Sequence, residues 1–381
     1  MGFFRDNFNH QLFYNLTLYI KFSKIIEKHF TKSLNLVIKN GKMKNPFFIA
    51  EISANHCGSY EIAKRLIKTA KINGADAVKI QTYTPDTMTL KTKKTKFKIK
   101  NGIWKGYTLW DLYNKAKTPL EWHKGLFAYA KKLRIKIFST PYDETAVDFL
   151  EKLNCPIYKI ASFELTHHNL IKKIAKTKKP IIISTGMANI EEINSAFKVA
   201  KKSGAKDITL LYCVSNYPSK NEDFNLNNIK ILKDKFKCKV GLSDHSNNSK
   251  IALCSIAAGA EVIEKHIALN NQKKGMDIDF SLKGNEIRSF RNNLDLAFNL
   301  LGKKTFFRNK SEKKMKIYRR SIFASSNIKK GEKFTKNNIK IIRPGYGLHP
   351  KYFDAIINKK SPQNLKFADP LSSKILKLLK I

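Results

Sequence analysis

A chain of 381 residues that is 42% hydrophobic is long enough to bury one large core beside a small second domain, which excludes a disordered protein. Its 73 Lys and Arg against 30 Asp and Glu give a net charge of +43. The basic residues, mostly Lys, run through every segment, which argues against a dedicated nucleic-acid surface while still favouring an anionic substrate. No run reaches the eighteen or so apolar residues of a membrane span. Five scattered cysteines without CxxC or Cys/His zinc spacing point to a reduced, cytoplasmic protein.

In chain order, residues 1–43 precede the first strand-like run, and about the first thirty of them are basic and roughly amphipathic. They lack the small-residue cleavage site of a secretory signal, and they read as an extension outside the fold, with Met43 as an alternative start. Residues 44–302 then alternate short β-branched apolar runs with helical patterns of Lys, Ala, Leu and Ile. The runs are Phe47 to Ser53, Ala77 to Tyr83, Lys136 to Tyr142, Ile157 to Phe163, Pro180 to Gly186, Ile208 to Ser215, Lys239 to His245 and Glu261 to Ile267. Eight strand-helix repeats over roughly 220 residues predict a (β/α)8 TIM barrel, with a doubly wound open sheet as the structural alternative.

Between the second and third runs, a long excursion from Thr84 to about Thr118 carries Trp104 and Trp110, the length of a lid or of a packing insertion. Residues 303–320 read as a basic linker. From 321 to 381, short runs punctuated by Gly331, Pro344, Gly345 and Gly347 predict a small β-rich domain.

The strand ends read AEIS, KIQT, FSTPY, KIASFE, ISTGM, CVSNYP, LSDH and EKH. In a TIM barrel these ends open onto one face, so eight polar ends in succession converge on a single pocket. No GxxxxGK or GxGxxG loop is present, which argues against nucleotide binding. A non-catalytic anion- or nucleic-acid-binding protein is the competing class, and the intact pocket set counts against it.

The segments AEISANHCGS, KIQTYTPDTMTL, FSTPYDETAVDFL, KIASFE, STGM, GLSDHS and EKH occur in the order found in bacterial sialic acid synthases. From about Phe47 onward the chain resembles that family. The segment SIFASSNIKKGEKFTKNNIKIIRPGYGLHP resembles the antifreeze-like (SAF) domain that follows the family's barrel. Within the family, SANHCGS, QTYTPDT, GLHPK and Ser215 favour the pseudaminate branch over the neuraminate and legionaminate branches.

The resemblance implies condensation of phosphoenolpyruvate with an N-acetylated amino sugar. It assigns the phosphate and carboxylate of phosphoenolpyruvate to Lys79, Lys159, Thr140, Ser162, Ser184 and Ser243. Gln81, Ser215, Tyr217 and Asp277 fall to the sugar, and Glu51 and Glu164 become candidate acid-base or orienting carboxylates. His245 and His266, at the ends of neighbouring strands, can converge on one metal. Two protein ligands suit Mn²⁺ or Mg²⁺ better than a closed structural zinc. The resemblance also implies a domain-swapped homodimer in which Arg343 of one SAF domain reaches the sugar bound by the other subunit.

Overall fold

The structure, a computed structural model, describes residues 46–302 and 305–381, so the N-terminal extension lies outside it. The described chain divides after Gly302 into two compact units.

The first unit contains strands β1 (Phe47–Glu51), β2 (Ala77–Thr82), β3 (Lys136–Pro141), β4 (Tyr158–Ile160), β5 (Ile181–Ser184), β6 (Ile208–Cys213), β7 (Lys239–Asp244) and β8 (Val262–Ala268). Each is parallel to the next, and β8 pairs back onto β1 with Glu51 opposite His266, closing the barrel. The open-sheet alternative therefore falls. A two-residue strand, β9 (Leu282–Lys283), adds to the end of β8.

Helices α1 (Tyr60–Ile72), α2 (Leu120–Lys132), α3 (Glu144–Lys152), α4 (His168–Lys176), α5 (Ile190–Lys202), α6 (Asn227–Phe236), α7 (Lys250–Ala257) and α8 (Glu286–Leu301) follow the eight strands. Their starts are written locally. The Ser59 hydroxyl accepts from the Ile62 amide, Asp143 from that of Ala146, and Asn189 and Glu192 form a reciprocal capping box. Their inner faces are apolar at helical spacing; α4 buries Leu170, Ile171, Ile174 and Ala175 together.

The strands are buried on both faces, so their alternation sorts residues between the barrel interior and the strand-helix layer. Lys265 illustrates the outward choice. Its ammonium lies 3.0 Å from Asp244 and donates to the Ser246 carbonyl, whereas Glu264 and His266 beside it border the cavity at the barrel mouth.

The second unit is built on an antiparallel pair, β10 (Ser321–Ala324) and β11 (Ile339–Ile342). Its core gathers Ile322, Phe334, Ile339, Ile356, Leu371 and Ile375. Isolated bridges such as Ile322 to Leu348 and Ile328 to Leu365 hold the surrounding turns. Regular strand is therefore sparser than its sequence punctuation suggests. The Gly345 amide donates to the Ile317 carbonyl, so the end of the linker segment is fastened to this unit.

Candidate active site

The strand ends of the first unit surround a cavity of about 440 Å³. Its floor is ionic. Lys79, on β2, lies 2.5 Å from Glu51 on β1, 3.7 Å from Glu264 on β8, and donates to the Thr140 hydroxyl at 3.2 Å. Lys159, on β4, donates to the Ser184 hydroxyl at 2.7 Å and to the Ile160 carbonyl at 3.2 Å, with Glu264 3.9 Å away. Ser243 donates to the same Glu264 carboxylate at 3.2 Å.

Two ammonium groups this deep would cost several kcal/mol each if left unpaired. They are compensated unequally. For Lys79, burial pulls the ammonium down, but Glu264 and Glu51 outweigh it and hold it above the ordinary lysine range. For Lys159, burial wins over the more distant Glu264, and its affinity for a proton is lowered. An anion arriving beside Lys159 would supply the missing counter-charge.

His245 and His266 stand beside this floor with ring centroids 5.4 Å apart. The His245 Nδ1 is 3.1 Å from the Val214 carbonyl, and the His266 Nδ1 is 3.5 Å from the Asp277 carboxylate. The carbonyl beside the His245 Nδ1 and the carboxylate facing the His266 Nδ1 orient the two rings, as the outer partners of metal-binding imidazoles do. Among the described residues no set of three or more His, Cys, Asp or Glu side chains gathers round one point. The pair therefore fits an open site completed by water or substrate, not a closed cage.

The wall carries Ser162 and Glu164 on the short 3-10 turn after β4, and Gln81, whose amide donates to the Ser53 hydroxyl at 2.9 Å. Ser215 and Tyr217 follow β6, and the Tyr217 ring lies 4.4 Å from that of His245. Burial pushes the Glu164 carboxyl up to about 7, against the pull of Lys159. Gly186 fixes a close approach after β5: a Cβ there would come within 2.4 Å of the Ser162 Cβ and 2.5 Å of the Ser215 hydroxyl, at a φ of +31°.

Twelve of the fifteen candidate side chains thus border one cavity. Glu51 and Thr140 lie fully buried against Lys79 and reach the cavity through side chains that line it, Thr140 through Lys79 and Glu51 through Lys79 and the Gln81 amide, which donates to it at 3.3 Å. Arg343 is exposed on the second unit. Two residues to which the strand-end reading assigns no task are central. Glu264 bridges both lysines, and period-two spacing from His266 could have revealed it. Asn55 is fully buried; its amide donates to the Ile267 carbonyl and the Ser281 hydroxyl, and its oxygen accepts from the Asp277 amide. It pins the loop that presents Asp277, a role that only the tertiary structure reveals.

A closed parallel barrel with buried lysines, serine hydroxyls and a histidine pair at its strand ends is an enzyme pocket built for a small anionic substrate. Residues 66–306 match the NeuB family, and residues 319–374 match the SAF domain. The chain belongs to the NeuB family. It is 44% identical over 328 residues to the pseudaminic acid synthase of Campylobacter jejuni, covering 86% of this chain and 96% of that one. To the pseudaminic acid synthase of Helicobacter pylori it is 43% identical over 332 residues, covering 87% and 98%. The crystal structure of N-acetylneuraminic acid synthetase from Leptospira borgpetersenii matches with a TM-score of 0.65 at 30% identity, over 72% of this chain and 93% of that one.

Proposed function

We propose that this protein condenses phosphoenolpyruvate with 2,4-diacetamido-2,4,6-trideoxy-altrose to form pseudaminic acid, releasing phosphate. The observation that carries this reading is the under-compensated ammonium of Lys159, bonded to the Ser184 hydroxyl and lying in the same cavity as the histidine pair. Phosphoenolpyruvate supplies the anion that this floor lacks, and the open-chain sugar supplies an aldehyde.

In the proposed reaction, C3 of phosphoenolpyruvate forms a bond to the aldehyde carbon, whose oxygen takes a proton. Water adds to the former C2, and phosphate leaves as the ketone forms. Lys159, with Ser162, Ser184 and Ser243, holds the phosphate and carboxylate through charge-assisted hydrogen bonds. Lys79 shares this work, with its charge and orientation maintained by Glu51, Glu264 and Thr140. Glu164, with a carboxyl near neutrality, is suited to move a proton at the sugar or the attacking water. Gln81, Ser215, Tyr217 and Asp277 orient the sugar. Mn²⁺ or Mg²⁺ held by His245 and His266 would polarise the aldehyde oxygen.

We further propose a cytoplasmic homodimer in which Arg343 completes the partner's sugar site; the five unpaired cysteines suit that reducing compartment. The test is phosphate release from phosphoenolpyruvate with Mn²⁺, offering separately the altrose, the legionaminate precursor and N-acetylmannosamine. Turnover of the altrose, lost in His245→Ala and His266→Ala, is the expected outcome. Preference for another sugar would keep the chemistry and overturn the branch, and release with none would overturn the synthase reading.

A further inference from the structure

The cavity is polar below and apolar above. Its floor is made by the strand ends, whereas one side of its upper wall comes from the excursion after β2. That segment contributes Met88, Ile99, Trp104, Leu109, Leu112 and Tyr113 to the lining. The excursion is held in place by specific contacts. The Lys98–Thr108 bridge closes it on itself, and the Trp110 indole donates to Asp86 at 2.9 Å. The Trp104 indole N–H donates to the Met276 carbonyl at 3.0 Å, while its ring lies 5.5 Å from that of Tyr217. Trp104 thereby fastens the excursion to the loop that carries Asp277, across the cavity.

We propose that this apolar wall is the sugar-specificity element of the site, receiving the methyl-bearing far end of a 6-deoxy sugar, with Trp104 as the latch that holds it in position. The inference rests on the synthase reading. The aldehyde at C1 must sit over the polar floor to meet phosphoenolpyruvate, so the other end of the six-carbon chain points up toward the wall. The wall's single indole donor is already spent on Met276. Of the other five wall side chains only Tyr113 carries a hydroxyl, so a 6-hydroxyl set against Met88, Ile99, Leu109 or Leu112 would surrender its water without gaining a partner, whereas a methyl group buries apolar surface at no such cost.

A hydrophobic surface rejects an added hydroxyl only modestly, so the expected discrimination is on the order of 10- to 100-fold in kcat/KM. The experiment compares 2,4-diacetamido-2,4,6-trideoxy-altrose with its 6-hydroxy counterpart, using phosphoenolpyruvate and Mn²⁺. The native enzyme should favour the 6-deoxy sugar. Ile99→Gln, which supplies a hydrogen-bonding partner at a half-buried site, should cut that ratio about tenfold through the sugar KM and leave the KM for phosphoenolpyruvate within about twofold. Trp104→Phe keeps an aromatic face but loses the N–H; it should lower kcat/KM for both sugars together and preserve their ratio.

Equal use of the two sugars by the native enzyme, or an unchanged ratio in Ile99→Gln, would overturn the role of the wall while leaving the synthase reading intact. A raised KM for phosphoenolpyruvate in step with that for the sugar would mark the excursion as merely structural. Failure of the native enzyme to turn over either sugar would overturn both readings.

Discussion

Glu164 is a cavity side chain whose protonation changes near neutral pH. Burial is the largest influence on it and raises its carboxyl from an ordinary 4.5 to about 7, with Lys159 and its own backbone amide opposing. Between those two values the folded chain binds more protons than the unfolded one. Stability from the protonated form is therefore fully present below about 4.5 and lost as pH rises through about 7. Glu164→Gln keeps the neutral shape without the titration. The variant should gain on the native protein between pH 5 and pH 8 by on the order of 2 kcal/mol, discounted for the group's partial exposure. Urea midpoints at the two pH values measure this. A native-minus-variant difference that does not change with pH would show that the carboxyl ionises freely. If Glu164 also carries a proton in the reaction, kcat in the variant should fall and lose its inflection near neutrality.

At the scale of elements, the turn from β5 into α5 shows how one glycine arranges two chains of the site. Gly186 leaves space that the Ser162 and Ser215 side chains occupy from neighbouring turns. Gly186→Ala must displace backbone or seryl groups, since its Cβ would lie far inside contact distance and its φ of +31° disfavours an L side chain. The expected result is a drop of about 10- to 100-fold in kcat/KM, because misplacing a binding group by an ångström costs that much. Stability should fall by only about 1–3 kcal/mol. Near-native turnover would show that the serines relax without functional loss.

The strands were legible because each apolar run ends in polar residues, and closure of eight of them is a matter of counting. β4 is shorter than its apolar run, because the chain turns into a 3-10 helix at Ser162. Glu264 and Lys265 were harder to separate. Adjacent charged residues on one buried strand look alike in sequence, yet alternation sends one toward Lys79 and Lys159 and the other toward Asp244. The task of Asn55 was illegible for a different reason. Its partners Ile267, Asp277 and Ser281 lie more than 200 positions away, so no local pattern encodes them. The excursion was legible as a long loop only; that its inner side is apolar emerges when the hairpin brings Ile99 and Trp104 over the same cavity.

For the whole molecule, the decisive question is how the second unit serves the first. The cavity is lined by lysines and histidines, but among the described residues no arginine borders it. Arg343 stands exposed on the second unit, two residues before Gly345, whose amide bonds the Ile317 carbonyl. A planar guanidinium suits recognition of an acetamido oxygen or a hydroxyl pair. If Arg343 acts on the partner's barrel, Arg343→Ala and His245→Ala should each be inactive alone, yet mixing them should restore activity. A hybrid dimer then pairs one intact barrel with one intact arginine. Random exchange at equal concentrations makes half the dimers hybrid with one working site of two, so about a quarter of native activity should return. An arginine acting on its own barrel gives hybrids in which every site lacks one group, and activity stays at the level of the separate variants. Sedimentation of the mixture supplies the control: recovery without dimers would exclude the swapped arrangement, and dimers without recovery would return Arg343 to its own subunit or to the surface.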